Sequence, residues 1–274
     1  MDSELGTPND AMNSRPTMPE PLLAFDAKSA SVSEALARVD ELRARYAVER
    51  DAGRVLPNAV EAVRIELTYH SNAIEGNTLS LRDTQLVIEG RAPTGGQSLR
   101  EVYEARNHDR ALRAIEEWAA HRQPPAPLTE QDLLDVHAIV LTDIDPAAAG
   151  RFRSERVLIA GTRFVPPGGH RFAELIPAML DLANRPGQHP VLQAAELHYN
   201  IAAVHPFRDG NGRTARLIMN YHLLARGFPH TIIDVSQRAE YLAALDEANS
   251  GRWERFGLCV ARSVERSIER VLVE

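Results

Sequence analysis

Helical periodicity is the feature that most constrains the fold of this chain, because it runs through nearly all of the sequence after about residue 24. Apolar residues recur there at the three- and four-residue spacings of an amphipathic helix. Only residues 157–165 have a β-prone composition, and their central Ala160-Gly161 pair is typical of a hairpin turn. We therefore predict an all-α fold, a mostly helical bundle with one short β-hairpin.

Capping and stop signals divide the helical part into segments. Ser80 and Thr129 stand where N-caps are expected, and Ser98 with Glu101 forms a capping-box pattern. Gly227 is placed to end a helix. The predicted helices cover residues 27–51, 57–75, 80–90, 98–121, 129–141, 172–184, 190–204, 213–226, 237–249 and 252–272.

Shifts in composition predict three regions. Residues 1–24 are rich in Pro, Ser, Asn and acidic residues without periodicity, which is typical of a flexible tail. The stretch 123–127, QPPAP, interrupts the helical pattern. We take it as the boundary between an N-terminal helical region, residues 25–125, and a catalytic core with its C-terminal helices, residues 126–274.

Composition sets limits on partners and location. The 274 residues carry a net charge of −7, so we expect no nucleic-acid partner and only local phosphate binding. The single cysteine, Cys259, excludes an intramolecular disulfide framework and a cysteine-based zinc site. No run approaches the ~20 apolar residues of a membrane span, and the N-terminus has no secretory signal pattern. We expect a cytoplasmic protein that does not bind membranes.

The run from His205 to Arg216, HPFRDGNGRTAR, concentrates the chemistry of the chain. Apolar helical patterns stand on both sides of it, so it predicts a loop that opens onto a helix N-terminus. Backbone N–H groups and the helix dipole favour an anion at such a position. Gly210 and Gly212 allow the left-handed backbone that turns successive N–H groups toward one phosphate.

The side chains of this run suit nucleotidyl transfer. Histidine has a reference pKa close to neutral pH, so His205 suits the role of general base. Asp209 is the only acid in the loop and is a suitable Mg²⁺ ligand beside triphosphate oxygens. Asn211 and the glycine backbone can hold an α-phosphate. Arg213 and Arg216 are three residues apart at the start of a helix, so both can reach the β- and γ-phosphates.

The pattern from His205 to Arg216 resembles the signature of the Fic family at every specified position. The similarity extends from about Pro127 to Gly251. It implies a Fic fold and Mg²⁺-dependent transfer of AMP from ATP to a Ser, Thr or Tyr hydroxyl of a target protein, which can be the chain itself, with release of pyrophosphate. Homodimers are common in the family, although no patch in this sequence identifies an interface.

A second motif, SNAIEGN from Ser71 to Asn77, is similar to the inhibitory motif of Fic proteins that carry it N-terminal to the core. Ser71 and Glu75 are four residues apart, so they share one helix face. The resemblance implies that a helix over residues 58–76 is inhibitory. It also implies that Glu75 pairs with Arg216 and takes that arginine from the γ-phosphate.

The family's flap corresponds to residues 157–165 and pairs with an extended segment of the target, as in β-augmentation. Arg163 and Phe164 are candidates for contacts with the target. The stretch GRFR, residues 150–153, resembles the segment that precedes the flap in the family. Tyr241, beyond the motif helix, is the candidate for stacking on adenine.

The residues leave alternatives open. Glu75 can also position water for removal of AMP, which makes a bifunctional or de-AMPylating phosphodiesterase the first alternative. The second is a non-catalytic ATP-sensing module, against which the intact base His205 argues. The donor base is not identified, and a metal site built from His198, His205 and His222 lacks a tight ligand spacing.

Overall fold

The computed structural model describes residues 20–122 and 126–273, and this part of the chain contains ten α-helices and no β-strand. All ten predicted helices are present, with ends shifted by three residues at most, so the all-α prediction is confirmed. The helices are α1 (Ala30–Asp51), α2 (Pro57–Ile74), α3 (Leu81–Ile88), α4 (Leu99–His121), α5 (Glu130–Leu141), α6 (Phe172–Asn184), α7 (Pro190–Val204), α8 (Asn211–Leu224), α9 (Arg238–Ala248) and α10 (Glu254–Val273).

Local capping explains why several helices begin where they do. Ser98 and Glu101 exchange hydrogen bonds with each other's backbone N–H groups, as do Thr129 and Asp132, so both helices open with a complete capping box. Gly227 has a φ of +79° just beyond the end of α8, which is the conformation expected of a helix stop.

Helices α7 and α8 form the centre of the bundle. In α7, 13 of 15 residues are buried, and in α8, 12 of 14, so neither helix has a solvent face. α6 and α10 pack on α7, whereas α4 and α5 pack on α8, and α2 lies against α4. The loop between α7 and α8 is therefore held from several sides. No helix in the described residues is both long and apolar enough to cross a bilayer.

The predicted β-hairpin in residues 157–165 is wrong in its strands and right in its turn. The chain turns at Ala160-Gly161, where Gly161 has a φ of +84°. No backbone hydrogen bond joins the two sides within this segment. Its apolar side chains are poorly covered, Leu158 being 81% exposed, and an isolated two-stranded ribbon is marginally stable in water.

The predicted flexible tail differs from the structure at its end, while residues 1–19 lie outside the described residues. Leu22 is only 4% exposed. The backbone N–H and carbonyl of Leu23 exchange two hydrogen bonds, both 2.9 Å long, with the side-chain amide of Asn200 on α7. We call residues 22–25 the N-terminal strap, and the buried contacts of this strap outweigh the polar composition of the sequence before it.

The predicted boundary at residues 123–127 is described only in part, because residues 123–125 lie outside the described residues. The division into a helical region and a core therefore stays a prediction. In the described residues, Val63 and Leu67 of α2 share one hydrophobic interior with α7 and α8.

We predict that Leu22→Ala lowers the free energy of unfolding by about 2–4 kcal/mol, since truncating a buried leucine removes apolar contacts and leaves a cavity. Urea unfolding followed by circular dichroism measures this change. Val48→Ala, which truncates a side chain that is 61% exposed, is the control and should change stability by less than about 0.5 kcal/mol. Equal effects of the two substitutions would contradict the docking of the strap.

Candidate active site

The connection between α7 and α8 turns the chain within residues 205–210 by two left-handed residues. His205 has φ and ψ of 49° and 56°, and Gly210 has a φ of 75°. A side chain at position 210 would also come within 3.2 Å of Leu141 and Val140 of α5. Glycine at this position is therefore required both by conformation and by close packing.

Asn211 closes this loop with its side chain. The backbone N–H of Phe207 donates to Oδ1 of Asn211 (2.9 Å), and Nδ2 of Asn211 donates to the carbonyl of Phe207 (2.8 Å). Asn211 is also buried. Its side chain thus shapes the loop, and the predicted contact with phosphate is left to its backbone N–H.

His137 of α5 packs against the loop between α7 and α8. Its position in the sequence did not indicate this role. Its ring stacks on Phe207 with 3.7 Å between centroids. Nε2 donates to the carbonyl of Asp209 (3.0 Å), and Nδ1 accepts from the N–H of Gly150 (3.1 Å). Burial lowers the pKa of His137 to about 4, so at neutral pH it keeps the single proton that this arrangement needs.

The imidazole of His205 has a defined tautomer. Nδ1 lies 3.2 Å from the carbonyl of Ala202, which can only accept, so Nδ1 carries the hydrogen and Nε2 is the basic nitrogen. Burial lowers the pKa of His205 below its ordinary value. At neutral pH the residue is therefore neutral and able to accept a proton.

Arg216 and Glu75 form the predicted ion pair. Nη2 of Arg216 lies 2.7 Å from Oε1 of Glu75, and the arginine side chain is 2% exposed. The guanidinium also donates from Nε to Oγ of Ser71 (2.9 Å) and from Nη2 to the carbonyl of Ser71 (2.8 Å). Both residues of the second motif therefore contact the same arginine, across 145 and 141 positions of sequence.

The carboxylate of Glu75 lies directly over the N-terminus of α8. A Cβ atom at Gly212 would clash with Oε1 of Glu75, so glycine is what permits this approach. Burial acts to raise the pKa of Glu75, but the adjacent Arg216 outweighs it and keeps that pKa below its ordinary value. The C-terminus of α2 disfavours a carboxylate, and the N-terminus of α8 with Arg216 supplies the compensating positive charge.

Tyr241 supports Arg216 rather than presenting an open ring. Its hydroxyl accepts from Nη1 of Arg216 (3.4 Å) and lies 3.0 Å from Nε2 of His198. The ring is buried against His198 and Phe256, and burial raises its pKa to about 12. Tyr241 also lines the cavity, and its stacking on adenine stays a prediction.

Asp209 is held by opposite charges. Its carboxylate is paired with Arg100 at the start of α4, and Oδ1 accepts from the N–H of Gly210 (2.6 Å). Arg213 lies 3.6 Å from the same oxygen. Burial acts to raise the pKa of Asp209, but Arg213, the Gly210 N–H and Arg100 keep it below its ordinary value. The carboxylate of Asp209 is therefore ionised, and it is already paired with the cationic side chain of Arg100.

Glu104 of α4 joins several of these charges. Its Oε1 lies 3.2 Å from Nε of Arg100 and 3.3 Å from Nη1 of Arg213, and its Oε2 accepts from the side-chain amide of Asn77 (2.9 Å). Arg213 is almost fully buried, and its Nε and Nη1 have no hydrogen-bond partner among the described residues. Nη1 is thus paired with Glu104 by charge alone, and the unpartnered Nε fits an anion that has acceptor oxygens.

A cavity of about 410 Å³ extends from the N-terminus of α8 to α9. Glu75, His205 and Arg216 line its charged end. At the other end, Tyr199 and Asn249 combine apolar surface with an amide, and the Tyr199 hydroxyl donates to Oδ1 of Asn249 (3.4 Å). The volume is in the range of small-molecule sites, so a flat apolar group with polar edges fits the far end.

The segment 157–165 covers one side of this cavity. Phe164 packs against the core and lines the cavity, and its N–H donates to Oγ1 of Thr162 (3.0 Å). Arg163 points to solvent and is exposed. Contacts of Arg163 and Phe164 with a target therefore stay predictions.

The alternative metal site of three histidines is not formed. His198 contacts Tyr241, whereas His222 lies far along α8, and no group of three or more His, Cys, Asp or Glu side chains in residues 20–122 and 126–273 could hold a metal. Asp209 as a ligand of Mg²⁺ stays a prediction.

Several supporting residues escaped sequence reasoning because no local pattern marks them. Arg100 and Glu104 are surface-type charges on a helix, and His137 is a lone histidine in an apolar helix. Each acts through contacts with residues 72 to 109 positions away in sequence. Arg153 lies in the GRFR stretch, but the resemblance of that stretch gave this arginine no role.

Comparison with known proteins agrees with these findings. The model of the Fic/DOC family matches residues 127–223. The chain is 36% identical over 242 residues to the protein adenylyltransferase Fic of Nematostella vectensis, covering 87% of this chain and 56% of that protein. It is 39% identical over 207 residues to the protein adenylyltransferase fic-1 of Caenorhabditis elegans, covering 74% and 40%. The chain thus spans about half the length of the curated relatives it matches.

The fold is likewise shared with a solved relative. The structure of residues 134–508 of Fic-1 from C. elegans superimposes with a TM-score of 0.78 at 33% identity, covering 89% of this chain and 72% of that one. Signature, fold and identity therefore agree along most of the sequence. The chain belongs to the Fic/DOC family.

Proposed function

We propose that this chain is a protein adenylyltransferase that moves AMP from ATP to a Ser, Thr or Tyr hydroxyl of a protein and releases pyrophosphate. The observation that carries the proposal is that one cavity contains a neutral basic imidazole, a helix N-terminus and a buried arginine. The names of the relatives as protein adenylyltransferases support it. The single cysteine supports a reducing compartment such as the cytoplasm, and a homodimer stays a prediction.

The residues of the loop divide the reaction between them. Nε2 of His205 takes the proton of the acceptor hydroxyl, whose oxygen bonds to the α-phosphorus as the bond to pyrophosphate breaks. Backbone N–H groups at the N-terminus of α8 stabilise the negative charge on the α-phosphate in the transition state. Arg213 and Arg216 bind the β- and γ-phosphates and hold the leaving pyrophosphate.

Asp209 fits the predicted role of Mg²⁺ ligand, because its ionised carboxylate already faces a cationic side chain, Arg100. When bound, Mg²⁺ neutralises part of the triphosphate charge. Arg100 must release the carboxylate for this to occur. The ion pair is half exposed, so its release costs little.

The same geometry supports autoinhibition by the C-terminus of α2. Glu75 lies over the N-terminus of α8 and holds Arg216, so it takes both the place and the partner of a phosphate. A triphosphate has to displace this carboxylate before Arg216 can bind it. ATP then binds weakly or in a pose in which the α-phosphorus is misaligned.

A second activity, removal of AMP from a modified protein, is favoured by the same carboxylate. Glu75 lines the cavity with His205 and is ionised, so it can orient a water molecule toward a phosphodiester. Incubation of the wild-type protein with an AMP-modified target measures this activity as AMP release. Release by wild type and not by Glu75→Gly would support it.

We predict that Glu75→Gly raises AMP transfer about 10- to 100-fold, because it removes a charged hydrogen bond that holds Arg216. His205→Ala in the same background should lower the rate by about 10²- to 10⁴-fold through loss of the base. The measurement is transfer from labelled ATP to lysate proteins, with mass spectrometry of the labelled band. Glu61→Gly, an exposed glutamate of the same helix, is the matched control, and equal rates for wild type and Glu75→Gly would overturn autoinhibition.

We also predict the direction of the pH dependence. The pKa of His205 lies below its ordinary value, so the residue stays a neutral base at pH 7 and is protonated only in more acidic solution. Transfer by Glu75→Gly should therefore be constant near neutrality and fall as the pH drops through that lowered pKa. An inflection above about 6.5, the unperturbed value, would contradict the burial effect.

A third prediction concerns the metal site. Arg100→Gln should tighten Mn²⁺ binding about two- to fivefold, as expected from loss of a competing surface ion pair. Electron paramagnetic resonance of free Mn²⁺ measures the affinity without ATP or acceptor. Arg106→Gln, which removes a charge from an exposed position of the same helix, is the control, and Asp209→Asn should abolish the site.

A further inference from the structure

Arg153 is a buried arginine whose contacts are almost all with main-chain oxygens. It lies between α5 and the segment 157–165, is 5% exposed, and takes part in none of the ion pairs found in the described part of the chain. Its ring neighbour is Phe172, whose centroid lies 5.0 Å from the guanidinium carbon. A buried guanidinium without a carboxylate partner is costly, so simple packing does not explain this residue.

Three consecutive carbonyls around the basic histidine accept hydrogen bonds from Arg153. Nε donates to the carbonyl of His205 (2.7 Å), Nη2 lies 3.5 Å from that of Val204, and the backbone N–H donates to that of Pro206 (2.9 Å). A left-handed backbone conformation is unfavourable for a residue other than glycine. These bonds offset the cost at His205 and fix the peptide plane from which the imidazole extends.

The same guanidinium also holds both ends of the segment that covers the cavity. Nη1 donates to the carbonyl of Glu155 (2.6 Å), and Nη2 donates to that of Pro167 (2.7 Å). Residues 157–165, which lie between these two anchors, are largely exposed and line the cavity from Leu158 to Thr162. One side chain therefore connects the backbone of His205 to both ends of this segment.

The planar shape of the guanidinium is what these contacts use. Its N–H groups leave one plane in several fixed directions, whereas the ammonium of lysine is a compact charge with three rotatable donors. Arg153→Lys thus keeps the charge and the aliphatic stem and loses the simultaneous contacts. Arg151, two residues earlier and exposed, provides the same substitution without these contacts.

We propose that Arg153 is a positioning residue that fixes the tautomer and direction of the His205 imidazole and holds segment 157–165 in the same frame. This inference rests on the proposed role of His205 as the base. The inference adds that one side chain, Arg153, aligns two groups: the target hydroxyl held by segment 157–165 and the Nε2 atom of His205 that deprotonates it. Arg153 itself does not contact the reacting atoms.

The first experiment reads the tautomer and needs neither ATP nor acceptor. Two-bond ¹H–¹⁵N correlation spectra of wild type, Arg153→Lys and Arg151→Lys are compared, with His205→Gln to assign the signal. Wild type and Arg151→Lys should have the hydrogen of His205 on Nδ1. Arg153→Lys should give a mixture of Nδ1–H and Nε2–H forms, and an unchanged Nδ1–H signal in that variant would overturn the proposal.

The second experiment separates positioning from folding, in a Glu75→Gly background and with the protein that this background labels as acceptor. Arg153→Lys should lower kcat for AMP transfer about 10- to 100-fold while the Kd for ATP changes by less than about twofold, as for a misaligned reacting group. Unchanged kcat, or a Kd that rises as much as kcat falls, would overturn the proposal. If Glu75→Gly with native Arg153 transfers no AMP, the proposed function fails, and the tautomer still decides the role of Arg153.

Discussion

The connection between α7 and α8 has to reverse the chain within residues 205–210 while both helices are buried on nearly every face. Two left-handed residues achieve the reversal, and only one of them is glycine. The other is the histidine that bears the basic nitrogen. The strain at that residue is offset by hydrogen bonds from outside the loop, so the neighbours on α5 and in the stretch before segment 157–165 belong to the site as much as the loop does.

The charged groups proposed to contact nucleotide and metal are all paired within the chain. Arg216 is held by Glu75, Arg213 lies beside Glu104, and Asp209 is held by Arg100. Each of these partners comes from α4 or from the end of α2, outside the segment that the family model matches. The N-terminal helices thus provide counter-ions for these groups. Under the proposed function, the affinity for nucleotide and metal depends on the free-energy difference between the contacts made with them and the ion pairs within the chain that they replace.

How much the sequence could predict depended on the range of the interactions. Helix ends were predicted well, because caps such as Ser98 and stops such as Gly227 act on neighbouring residues. The connection between α7 and α8 was predicted for the same reason. The contact of Glu75 with Arg216 came from resemblance alone, and no local spacing could have placed residues 141 positions apart together. The contact of the Tyr241 hydroxyl with Arg216, 25 positions away, could not be predicted either, and the stacking of Tyr241 on adenine stays a prediction.

Long-range contacts also explain the other differences. Polar composition before residue 24 could not show that Leu23 hydrogen-bonds to Asn200, because the amide partner lies in a helix 177 positions later. The β-prone run 157–165 has the turn of a hairpin, but no backbone hydrogen bond among the described residues joins its two sides. Sequence propensity describes how well side chains suit a pleated surface, and it does not show whether a partner strand is present.

Gly212 limits which amino-acid substitutions can alter the site. The space where its side chain would lie is filled by an oxygen of Glu75, and a phosphate held at the start of α8 needs the same space. Under the proposed function, a larger residue at position 212 would displace the carboxylate of Glu75 and also narrow the space for a phosphate, whereas a substitution at position 75 leaves the loop unchanged. Changes at position 75 are therefore the ones that can alter the proposed inhibition without altering the proposed phosphate site.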